Sequence, residues 1–92
     1  MAPLAPDDWS SPLQGWKVKI RGLERLEEPH VTICSPGGDV FRLGLRSWEF
    51  LDDRPPARKV PQKLIHAIQA SARSWKLHWN SKYPENGIEI DP

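Results

Sequence analysis

The chain has 92 residues, 38% of them hydrophobic, with thirteen basic and twelve acidic groups for a formal net charge of +1. That length makes a single domain with a small core, burying roughly 60–65% of its unfolded surface. No run of about eighteen apolar residues exists, which excludes a membrane-spanning helix, and the one cysteine, Cys34, excludes an internal disulfide or a paired-cysteine metal site.

The near-neutral total hides an uneven distribution. Residues 1–53 hold six basic and nine acidic groups, residues 54–84 hold seven basic groups and no acid, and residues 85–92 hold three acids. Such asymmetry points either to an anionic partner or to a basic element neutralised by the acidic parts of its own chain. A lone thiol suits a reducing compartment. Met1 to Pro6 has neither the positive start nor the apolar stretch of a secretory signal. The expectation is a cytoplasmic protein with no membrane partner.

In chain order, residues 1–12 contain Pro3, Pro6 and Pro12 among small and polar residues, and are expected to form a flexible arm that Trp9 could tack onto a core. Residues 13–92 then form one α+β domain. Gly15 to Arg21 alternates Trp16, Val18 and Ile20 with Lys17, Lys19 and Arg21, the period of a half-buried strand. Gly22 to Pro29 is a polar, acidic connection in which Leu23 and Leu26 suggest one helical turn. His30 to Ser35, with β-branched Val31, Thr32 and Ile33, makes a second strand, and Val40 to Arg46 a third.

The turn Pro36-Gly37-Gly38 allows two registers. A two-residue loop would oppose Ile33 to Arg42 and Val31 to Gly44, mixing apolar and polar groups on one face. A three-residue loop pairs Ile33 with Phe41 and Val31 with Leu43, so opposed residues agree. Gly38 would then supply the positive φ. In that register the far face of the sheet gathers Lys17, Lys19, Arg21, His30, Thr32, Arg42 and Arg46, a basic surface if nothing covers it.

Ser47 to Asp53, with Trp48, Phe50 and Leu51, reads as a hydrophobic corner without period. Pro55, Pro56 and Pro61 bar regular structure to about residue 60, and Pro61 suits a helix start. One long helix is expected from about Pro61 to Ser81, with Leu64, Ile65, Ile68, Ala72, Trp75 and Trp79 as its apolar stripe. Gln62, His66, Gln69, Arg73, Lys76 and Asn80 would face outward. Ile88 and Ile90 alternate with acids, suggesting a short edge strand. The predicted architecture is a three-stranded antiparallel sheet packed against one long C-terminal helix.

Few residues offer chemistry. There is no P-loop, no His-x-x-x-His pair, and His66 and His78 lie roughly 18 Å apart along a helix, so neither cofactor nor metal is expected. Cys34 and His30 are about 13 Å apart on a strand, too far for a dyad. His30 with Arg42 is a minimal set for metal-independent RNA cleavage, the histidine as acid or base and the arginine on the phosphoryl charge. The alternative is a strand-end histidine bonding backbone. Lys17, Lys19, Arg21, Arg42, Arg46, Arg73 and Lys76 are the candidate phosphate contacts.

Glu27-Glu28-Pro29-His30-Val31, followed by a hairpin and a helix ending in a Trp-rich segment, resembles a small bacterial family of unknown function. Its members carry a Pro-His-x-His-Val strand and are discussed as toxin–antitoxin components. The resemblance spans residues 27 to about 80. The second family histidine falls on Thr32, so only His30 carries over. It implies a small bacterial protein acting with a partner. Two functions follow as expectations: a nucleic-acid-interacting protein of toxin–antitoxin type acting on RNA, or a non-enzymatic module that binds an acidic protein or a second copy of itself.

Overall fold

The computed structural model of the protein describes residues 10–21 and 26–90. The class is α+β. Strands β1 (Ser10–Leu13), β2 (Trp16–Lys19), β3 (His30–Cys34) and β4 (Val40–Gly44) form one antiparallel sheet in sequential order, and helices α1 (Gln62–Ala70) and α2 (Ala72–Lys82) follow. The three expected strands are present. The expected arm falls mostly on residues 1–9, outside the described residues together with Trp9; residues 10–12 belong instead to β1. Pro12 is tolerated there because β1 lies at the sheet edge. A two-residue turn at Gln14-Gly15 joins β1 to β2, with Gly15 at φ 83°. The helical turn suggested for Leu23 and Leu26 lies largely outside the described residues; Leu26 itself is exposed.

The hairpin takes the three-residue register. Ile33 pairs with Phe41, Val31 with Leu43 and Thr32 with Arg42, and Val18 opposes Ile33 across β2 and β3. Gly38 has φ 94°. One face therefore collects Val18, Ile20, Val31, Ile33, Phe41, Leu43 and Leu45, all buried. Burying such a side chain is worth about 1.5–3 kcal/mol, and α1 and α2 cover this face with Leu64, Ile68, Trp75 and Trp79.

The helix is two helices rather than one. Ser71 leaves helical geometry at φ −107°, ψ 22°, and its N–H bonds back to Ile68 O at 3.1 Å, a tightened i→i−3 turn. Serine competes for backbone partners and is a weak helix former. The apolar stripe survives the break.

After β4 the chain doubles back. Gly44 N–H donates to Glu49 O at 2.9 Å, Trp48 N–H to Gly44 O at 3.1 Å and Leu51 N–H to Arg42 O at 2.9 Å. Phe50 pairs with Leu43 as an isolated bridge. A methyl group at position 44 would lie 2.8 Å from Ser47 Oγ and 3.2 Å from Glu49 O, so glycine permits the close approach.

Beyond α2, Ile88 is buried but is not in a strand. Its backbone is held by one side chain: Asn80 Nδ2 donates to Ile88 O at 2.9 Å and Ile88 N–H donates to Asn80 Oδ1 at 2.6 Å. This corrects both the edge strand and the outward placing of Asn80; the amide supplies the pair of bonds a neighbouring strand would have made. Trp79 Nε1 donates to Asn86 O at 2.7 Å and Tyr83 Oη to Arg21 O, tying the end of α2 to the sheet.

Two substitutions test these devices by urea unfolding. Gly44→Ala is expected to lower stability by about 1–3 kcal/mol through overpacking. Asn80→Ala, which removes both bonds to Ile88, is expected to cost about 1–3 kcal/mol for the unsatisfied backbone groups.

Candidate functional site

His30 opens β3 directly after Pro29, and its side chain is 0% exposed. Its Nδ1 lies 2.7 Å from Glu28 O, and since a carbonyl only accepts, Nδ1 carries the proton. The ring packs on Trp79 with centroids 5.5 Å apart. Thr32, two residues on, is also buried, and its Oγ1 has no hydrogen-bond partner.

Arg42 lies opposite Thr32. Its guanidinium makes a two-pronged contact with Asp52, Nε to Oδ2 at 2.7 Å and Nη2 to Oδ1 at 2.6 Å, and Nη1 donates to Glu27 Oε1. The doubling-back after β4 brings Asp52 to this point. The hydrogen bonds to Asp52 hold the Arg42 pKa far above its ordinary value, and the same bonds hold the Asp52 carboxyl below its ordinary 3.8, with a smaller contribution from the charge of His30. Asp52 therefore holds Arg42, one of the two residues singled out as catalytic. Next to them Arg46 Nη1 meets Glu28 Oε1 at 3.3 Å.

The far face of the sheet is thus not the open basic surface that the alternation implied. Acids from residues 27–28 and from Asp52 fold onto Arg42 and Arg46, and His30 and Thr32 are covered. Lys19 is half-buried, while Lys17 and Arg21 are exposed. Arg73 and Lys76 stand on α2, apart from this cluster, Arg73 exposed and Lys76 half-buried. Among the described residues no group of three His, Cys, Asp or Glu side chains is placed to hold a metal ion, and no helix is long and apolar enough to cross a membrane.

A second feature was not legible in the sequence. The corner at Trp48 and Phe50 faces the start of α1 across a concavity of about 640 Å³, lined also by Ala57, Arg58, Val60, Pro61, Gln62, Ile65 and Gln69. Its size falls within the roughly 300–1,000 Å³ of ligand sites, and it is an open concavity with both apolar and polar groups on its walls. Trp48 sits at φ 59°, in the left-handed region. For a bulky residue this costs on the order of 1–3 kcal/mol, and the tight return to Gly44 imposes it. The sequence signal was present in the two aromatics and Pro61, but only the chain reversal brings them together.

Comparison of the chain with protein-family models, curated proteins and solved structures finds no significant match.

Two groups give stability a pH dependence. Burial holds the His78 pKa below its ordinary 6.5, and the ring meets Trp75 edge-on at 5.9 Å. The unfolded chain therefore takes up this proton first as pH falls. The stability is present above about pH 6.5 and drains as pH drops through the folded value. Asp52, also depressed, behaves alike from about pH 3.8 downward. Thermal melts across pH are expected to show both declines, with His78→Gln reducing the upper one and Asp52→Asn the lower.

Proposed function

We propose that this protein is a non-enzymatic interaction module that docks an acidic protein segment on the basic side of its C-terminal half. The observation that carries this reading is the fate of Arg42. Its guanidinium is held by Asp52 and Glu27, while its neighbour Arg46 meets Glu28 and His30 is sealed under Trp79. A phosphodiester substrate would have to displace these carboxylates from Arg42 and would meet no exposed imidazole at His30. Cleavage chemistry needs both groups to reach the reacting atoms.

Residues 54–84 remain without an acid of their own. One ion pair in this stretch joins Lys59 Nζ to Asp39 Oδ2 at 3.8 Å. Arg58 and Lys63 are exposed and Lys76 is half-buried. Two of these charges have a further structural use, since Lys76 and Lys82 favour the C-terminal end of the helix dipole. Arg58 and Lys63, together with Lys76, are the cations this side offers to carboxylates. The resemblance to a family of toxin–antitoxin components is compatible with a partner-binding role.

A second reading, binding of RNA or DNA through the sheet, draws on exposed Lys17 and Arg21. Titration of labelled poly-L-glutamate and of a single-stranded RNA, at about 50 mM salt, separates the two. The polypeptide is expected to bind more tightly, and the double charge reversal Lys63→Glu with Lys76→Glu to weaken it about tenfold. Tighter binding of RNA that survives this reversal but is lost with Lys17→Glu and Arg21→Glu would replace the first reading by the second.

A further inference from the structure

We infer that the groove between the Trp48–Phe50 corner and α1 is the docking subsite for an extended peptide in which one bulky apolar residue is flanked by carboxylates. This deepens the acidic-segment reading and rests on it.

The groove's apolar lining comes from Trp48, Phe50 and Ile65, with Val60 buried beneath them. Among the described residues the one charged side chain lining it is Arg58, which is exposed. The start of α1 borders the groove as well, with Pro61 as its cap, no side-chain cap bond and no acid in its first turn. Positive partial charge at a helix start and a guanidinium therefore both border the groove. A purely apolar occupant would leave that charge unanswered, and a purely acidic one would leave the aromatic walls wet.

The spacing of the polar groups favours a main chain. Gln62 and Gln69 both line the groove and stand seven residues apart on α1. That separation is about 10.5 Å along the helix axis. Three residues of extended chain cover about 10 Å. The two carboxamides can each donate to and accept from a peptide backbone at the ends of such a stretch, with the central side chain against Ile65. RNA fits less well. A phosphate backbone is tracked by a row of cations, whereas Lys59, next to Arg58, is paired with Asp39.

The test uses two pentapeptides, acetyl-Asp-Glu-Phe-Asp-Glu-amide and its analogue with serine for phenylalanine, titrated into the full chain and followed by amide and indole NMR shifts. The phenylalanine peptide is expected to perturb the Trp48 indole and the Gln62 and Gln69 side-chain amides. It is expected to bind at least about tenfold more tightly than the serine analogue. Arg58→Glu and, separately, Gln69→Glu are each expected to weaken it about tenfold with melting temperature unchanged. Equal binding of the two peptides, or shifts confined to the Arg73 and Lys76 region, would overturn the groove assignment and leave the acidic-segment reading standing. Failure of both peptides to bind anywhere would overturn both. A single-stranded RNA that displaces the phenylalanine peptide from the same signals would also overturn the peptide assignment.

Discussion

The chain reversal after β4 depends on a close approach that a side chain at position 44 would crowd. Ser47 Oγ and Glu49 O come within 3.2 Å of where a Cβ would stand. With that approach open, the backbone returns along β4, and three consequences follow from one turn. Leu51 bonds back to Arg42, Asp52 is delivered to the Arg42 guanidinium, and Trp48 is forced to positive φ with its ring beside α1. The neutralised cluster on one side of the sheet and the open groove on the other share this origin.

The two sides of the sheet are finished by different physics. The helix side is closed by area: fully buried aliphatic residues on the strands meet Leu64, Ile68 and Trp79. The other side is closed by charge. Arg42, paired opposite Thr32, is flanked by two carboxylates to which its guanidinium donates three bonds. Ion pairs this exposed add little to stability by themselves. Their effect is on what the face can do, because a guanidinium already forked onto a carboxylate is a poor phosphate clamp.

Alternation of side chains was enough to place the hairpin register, because shifting it by one residue would have turned Val31 and Ile33 outward. The apolar stripe of Leu64, Ile68, Trp75 and Trp79 was equally legible, since helical period survives a tightened turn at Ser71. What could not be read depends on contacts without period. Asp52 sits ten residues beyond Arg42, in a stretch where nothing in the residue order announces a reversal. β1 lacks alternation because Ser10, Ser11 and Pro12 carry no apolar signal, and only the Gly15 turn betrays it. The covered state of His30 follows from Trp79, about fifty residues downstream, through tertiary packing.

The end of α2 is held by bonds between side chains and main chain. Trp79, Tyr83, Asn80 and Asn86 reach the backbone of Asn86, Arg21, Ile88 and Glu27 respectively. Such a bond reads the position of its partner and ignores its identity. In a set of related chains the anchoring residues would be kept while the backbone partners drifted, so the pairs would leave no joint pattern of substitution. Methods that infer proximity from correlated change would miss this corner of the molecule, although it is among the best-tied parts of the fold.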